Sequence, residues 1–139
     1  LPLLHIADPT ADAICHQGLG TIALLGTRVT MEAPFYRQRL EERGLTVVTP
    51  EASDRERVHR IIFEELCLGK THSYSRQIYT GIIADLAAAG AQGVILGCTE
   101  IGMLIGPEDS PLPLFDTTEL HARAAVEAAL TTTSTHEHR

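Results

Sequence analysis

The chain has 139 residues, 44% of them hydrophobic and 21% charged, with no Trp. That length supplies one domain, or a large part of one, with a buried core. Its apolar stretches fall far short of the ~20 residues a membrane span needs, no signal-type segment opens the chain, and a net charge of −7 without a basic run argues against nucleic acid. The three cysteines, Cys15, Cys67 and Cys98, are odd in number and lack C-x-x-C spacing, so neither a disulfide framework nor a zinc site follows. Reduced thiols and the absence of a targeting signal read as cytoplasmic.

The chain begins at Leu1 without an initiator Met and opens directly on a strand-like Leu3-Leu4-His5-Ile6, so a preceding segment is expected. Asp8-Pro9-Thr10 starts a helix running to His16, with Ala11, Ile14 and Cys15 on its apolar side and Gly18 as its stop. Cys15 reads as a small core residue. Thr21–Leu25 is a buried strand ended by Gly26. Thr27-Arg28-Val29-Thr30 leads from it into a helix from Glu32 to Arg43, whose true start lies near Pro34. Thr27 and Thr30 are either helix caps or hydroxyls at the mouth of a crevice suited to a carboxylate.

Leu45–Thr49 forms the next strand, and Ser53-Asp54-Arg55-Glu56 has the form of a capping box. The helix it opens buries Val58, Ile61, Ile62, Leu66 and Leu68 and ends at Gly69. Cys67 reads as core, and His59, between Arg57 and Arg60, as solvated. A loop from Lys70 to Ser73 precedes a long helix to about Ala89, with Ile78, Ile82, Ile83 and Leu86 facing inward.

Gly93-Val94-Ile95-Leu96-Gly97-Cys98-Thr99-Glu100 organises the remainder. Val94-Ile95-Leu96 reads as a strand buried on both faces, Gly97 as the turn at its carboxyl end, and Thr99-Glu100 as the opening of a short helix. Cys98 then sits in a crevice at a strand end beside helix amides, which lower a thiol pKa into the range ~3.5–7.5. It is the candidate nucleophile or base, and the thiol expected to react first with an alkylating reagent. Ile101–Ile105 is a short helix broken by Gly106-Pro107, and Pro111–Phe115 an extended segment. Asp116-Thr117-Thr118-Glu119 opens a last helix with a small-residue face of Leu120, Ala124, Ala125, Ala128 and Ala129. From Thr131 the polar tail, with His136-Glu137-His138, reads as a frayed terminus rather than a metal site.

Strands alternating with long helices predict a three-layer α/β/α sandwich with a parallel sheet over residues 1–130, followed by a flexible tail at 131–139. No G-x-G-x-x-G or Walker pattern marks a nucleotide site. Thr27, Thr30 and Thr99 are expected to converge on one cleft at the carboxyl ends of neighbouring strands.

Taken together, Leu24-Leu25-Gly26-Thr27-Arg28-Val29-Thr30-Met31, Glu64-Glu65-Leu66-Cys67-Leu68-Gly69, Leu96-Gly97-Cys98-Thr99-Glu100 and Phe115-Asp116-Thr117-Thr118 resemble the signatures of the aspartate/glutamate racemase family. The order and spacing agree from Leu1 to about Leu130. GCTE followed by DTT is similar to the aspartate racemase branch, since glutamate racemases typically carry a histidine where this chain has Glu100. The resemblance implies a cofactor-independent racemase of acidic amino acids, in which two cysteines flank the substrate α-carbon. One thiolate removes the α-proton and the other thiol returns a proton to the opposite face.

Carried over by residue, Cys98 is the second of these cysteines and Thr99 lines the pocket beside it. Thr27 and Thr30 match hydroxyls near the substrate carboxylates, and Lys70 lies where the family can place a cation for the substrate side chain. The first cysteine of the family belongs to an amino-terminal half, and neither Cys15 nor Cys67 occupies its motif. The chain thus resembles the carboxyl-terminal part of a two-domain racemase, expected to be inefficient alone. The implied partners are a small acidic amino acid and a second copy in a dimer, with no nucleic acid and no membrane. Two other readings stand beside this one. One is a single-cysteine decarboxylase of the arylmalonate type. The other is a non-catalytic assembly module with an exposed apolar edge.

Overall fold

The computed structural model describes the backbone of residues 7–137 and their side chains apart from residues 121, 128 and 131–137. The strand expected at Leu3–Ile6 and the side chains of the terminal His136-Glu137-His138 lie outside that description. In chain order the elements are α1 (Asp8–His16), β1 (Thr21–Leu25), α2 (Arg28–Glu32), α3 (Pro34–Glu42), β2 (Thr46–Val48) and α4 (Ala52–Glu64). A 3-10 turn (Leu66–Leu68) is followed by α5 (Ser73–Ala88), β3 (Val94–Leu96), α6 (Ile101–Leu104), a second 3-10 turn (Pro107–Asp109), β4 (Leu114–Asp116) and α7 (Thr117–Glu137). Among the described residues no helix is long and apolar enough to cross a membrane.

The four strands are ordered β2-β1-β3-β4, and all three pairings are parallel. Side chains alternate across the sheet, and the two faces bury separate clusters. Ala23, Leu25, Val94 and Leu96 join Val58, Ile62, Tyr79 and Ile83 of α4 and α5 on one face. Ile22, Leu24, Ile95 and Phe115 join Ile14 of α1 and Tyr36 and Leu40 of α3 on the other. This is the expected three-layer α/β/α sandwich. The chain leaves β1 for β2 on one side and later returns to pair β3 on the other. The reversal opens a crevice at the carboxyl ends of β1 and β3, the usual place for a ligand in an open parallel sheet.

Several local expectations are corrected. The helix predicted from Glu32 to Arg43 is two helices, parted at Ala33, which is extended (φ −71, ψ 143) because the ring of Pro34 excludes the helical conformation from the residue before it. α4 begins at Ala52 with Glu51 as its N-cap and no side-chain cap, so Ser53 lies inside the first turn and the capping box does not form. The α-helix ends before Leu66, and the tighter 3-10 turn buries Leu66 alone, leaving Leu68 65% exposed and Cys67 exposed. Cys15 is exposed as well. On α7, Leu120 packs against the second cluster, but Ala125 and Ala129 face solvent.

Candidate active site

Cys98 stands at the first turn past β3, half-buried and packed against the cluster under α4 and α5. Its strand is held at that point from both sides: the Gly97 N–H donates to the Leu25 carbonyl at 2.7 Å, and the buried Thr117 hydroxyl donates to the Leu96 carbonyl at 3.1 Å. A side chain at Gly97 would meet the Leu25 carbonyl oxygen and Thr30 Cγ2, each at 2.9 Å, and one at Gly26 would meet Thr30 Cβ at 3.1 Å. The two glycines therefore let Thr30 close onto the turn that carries Cys98. Thr27 occupies the N-cap position of α2, yet its hydroxyl makes no cap bond; it lies 3.3 Å from the hydroxyl of Thr30. The two threonines thus pair with each other and Thr27 does not cap α2.

The Cys98 thiol donates to Glu100 Oε2 at 2.7 Å, and the exposed Thr99 hydroxyl donates to the same oxygen at 2.8 Å. Burial pushes the thiol pKa up to about 11, and hydrogen bonding to the Glu100 carboxylate, which stabilises the protonated form, adds to it. The Glu100 backbone amide acts in the opposite direction and is outweighed. Glu100 in turn is held below its ordinary pKa by the bonds from Cys98 and Thr99. This overturns the expectation of a thiol activated by helix amides. α6 starts only at Ile101 and spans a single turn, so its dipole is small, while the Glu100 carboxylate lies 2.7 Å from the sulfur.

Of the residues singled out in the sequence, Cys98 and Thr99 follow the carboxyl end of β3 and Thr27 and Thr30 that of β1, with Thr30 against the Gly97 turn. Lys70 does not join them by any ion pair or hydrogen bond among the described residues. It follows Gly69 (φ +76) in an exposed loop, its amide held by the Glu65 carbonyl at 2.9 Å. That loop lies on the Cys98 side of the sheet, since the Leu66–Leu68 turn packs on α6. A cavity of about 240 Å³ adjoins the crevice, lined by Thr30, Gly97, Tyr36, Thr117, Val29 and Phe35. A larger one, about 940 Å³, runs along α1, α7 and the edge strand β4 to Leu96 and Gly102, without Cys98 in its lining. Among the described residues no cluster of three or more His, Cys, Asp or Glu could hold a metal ion.

Glu100, Thr117 and Tyr79 were not singled out by sequence. Glu100 reads as a helix opener and as a mark of the aspartate racemase branch, without a role at the thiol, although its place two residues after the cysteine is the available signal. The buried Tyr79 hydroxyl donates to the Val58 carbonyl at 2.9 Å; burial, and then the negative charge of a Cys98 thiolate, keep it protonated. His59 is partly exposed but, against expectation, makes contacts of its own. Its Nδ1 accepts the Arg28 N–H at 2.9 Å, and its ring packs on Phe63 with centroids 4.7 Å apart.

The sequence profile of the Asp/Glu/hydantoin racemase family matches residues 1–125. The crystal structure of a candidate Asp/Glu racemase from Yersinia pestis superposes with a TM-score of 0.90 at 56% identity, over 94% of this chain and 57% of that one. An aspartate racemase homologue from Pyrococcus horikoshii gives 0.85 at 40% identity, over 93% and 57%. Aspartate racemase from Picrophilus torridus, at 21% identity and a TM-score of 0.68 over 91% and 52%, shares the fold. An uncharacterized protein from the pnlA 3' region of Pectobacterium carotovorum is 29% identical over 90% of this chain and 83% of its own length. The chain therefore spans little more than half the length of the solved relatives.

Proposed function

The chain belongs to the Asp/Glu/hydantoin racemase family, and from that premise we propose that it supplies one face of a cofactor-independent acid–base site for the α-carbon of an acidic amino acid. The observation that carries the reading is the contact of the Cys98 thiol with Glu100 Oε2, at 2.7 Å; the paired hydroxyls of Thr27 and Thr30 on the turn after the neighbouring strand support it. A protonated thiol is the form that returns a proton to a carbanion. When Cys98 acts in the other direction, Glu100 is placed to accept the thiol proton, so that the thiolate can take the α-proton. The threonine hydroxyls hold the α-carboxylate, which takes up charge as the carbanion forms. Thr99 steadies Glu100, and the Lys70 loop offers a cation to the side-chain carboxylate.

Inversion further requires an acid on the opposite face of the α-carbon. Cys15 is separated from Cys98 by the sheet, because α1 packs on the other face, and Cys67, whose charge acts on Cys98 from the same side, stands exposed in the Leu66–Leu68 turn without a motif that matches the family's first cysteine. The second proton donor is therefore expected from outside this chain, and the chain alone is expected to exchange an α-proton without efficient inversion. Incubation of the chain with a panel of amino acids and malonates in deuterated water tests the reading. Deuterium entering aspartate or glutamate supports it. Turnover of a malonate would support the decarboxylase reading instead, and inertness toward every compound would leave only a binding or assembly role.

A further inference from the structure

We propose that His59 is a positioning residue that holds the Thr27–Thr30 turn in the geometry that receives a carboxylate; the inference rests on the reading of those hydroxyls given above. α2 has five residues, too few to be stable by itself, since isolated helices shorter than ~12–15 residues are marginal in water. Its place is set by α4. The Arg28 guanidinium pairs with the Glu56 carboxylate, and Arg55 Nε donates to Glu32 Oε2 at 3.2 Å. Both are exposed ion pairs, of a kind that fixes position weakly. The His59 contact differs in kind. It engages the backbone, where Nδ1 takes the N–H of Arg28 at 2.9 Å, one residue from Thr27 and two from Thr30. The bond reaches across 31 positions of sequence and ties the start of α2 to the third turn of α4. Acceptance at Nδ1 requires the neutral ring with its proton on Nε2. The Phe63 ring, tilted at 49° with its centroid 4.7 Å away, packs against the imidazole.

With that bond removed, the Arg28 amide turns to water and the turn loses its fixed point. The 3.3 Å spacing of the two hydroxyls is then no longer imposed. Asn at position 59 keeps an acceptor oxygen where Nδ1 lies, whereas Phe keeps the ring and its packing but has no acceptor. The test compares the chain with His59→Phe and His59→Asn. L-aspartate is titrated while the Thr27 and Thr30 amide resonances are followed, and hydrogen exchange of the Arg28 amide is read in the free proteins.

The expected result is loss of Arg28 protection and about five- to tenfold weaker aspartate binding in His59→Phe, the yield of one hydrogen bond, with both recovered in His59→Asn. A urea midpoint close to that of the unaltered chain in both variants excludes a general loss of fold as the cause. Equal aspartate affinity in all three proteins would overturn the positioning role alone. Absence of any aspartate response in the unaltered chain would strike the carboxylate reading itself, and His59 would lose its assigned purpose with it.

Discussion

Glu100→Gln separates two roles that one carboxylate plays. Cys98 sits at about 11 instead of 9.0, so that at pH 8 the thiolate is ~0.1% of the population instead of ~10%. Burial accounts for the largest part of that displacement and survives the substitution; the bond to a charged acceptor does not. If half of the displacement is relieved, the thiolate fraction rises ~10-fold. Alkylation of Cys98 by iodoacetamide, followed by peptide mapping, is therefore expected to speed up by about that factor. Proton exchange at the substrate α-carbon is expected to fall by ~10²–10⁴, because the positioned acceptor of the thiol proton is gone. In the unaltered chain the same assay should label exposed Cys15 and Cys67 before Cys98, and Cys98 labelling should keep rising with pH toward 11. Alkylation and exchange falling together in Glu100→Gln would refute the reasoning, since it would mean that the carboxylate lowers rather than raises the resting pKa of the thiol.

Gly97→Ala places a methyl 2.9 Å from both the Leu25 carbonyl oxygen and Thr30 Cγ2. Overpacking of that kind costs ~1–3 kcal/mol, seen as a lower urea midpoint, and the displaced Thr30 should weaken aspartate binding as well. Tyr79→Phe removes the bond to the Val58 carbonyl and is expected to cost ~1 kcal/mol by the same measurement, with the pH dependence of Cys98 alkylation little changed. Asp116→Ala removes the oxygen that accepts the Thr118 and Glu119 N–H groups at 3.0 and 3.2 Å, so the start of α7 should fray and stability fall by ~1 kcal/mol by thermal unfolding.

β1, β2 and β3 were legible because each is a short apolar run closed by a glycine or a proline, β4 as an extended segment entered through Pro111 and Pro113, and the parallel sheet followed from their alternation with helices. Asp116 was legible as a helix start because its cap bonds are local. α2 was not, because Val29 and Thr30 carry no helical pattern and the element is held by contacts with α4. The exposure of Cys67 and Leu68 depends on a change from α to 3-10 winding after Glu64, which no spacing announces. The motif around Cys98 correctly located the thiol, but its protonation state depends on where the Glu100 side chain folds back. That is a property of the turn rather than of the residue types. His59 was misread for the opposite reason: its neighbours in sequence are charged, while its partner is 31 residues away.

The most direct measurement follows α-deuterium in aspartate by mass spectrometry and its configuration by chiral chromatography, after incubation with the chain or with Cys98→Ala in deuterated buffer. The account predicts solvent deuterium in aspartate of retained configuration, lost in Cys98→Ala. Exchange that persists without Cys98, or rapid inversion by the chain alone, would contradict it.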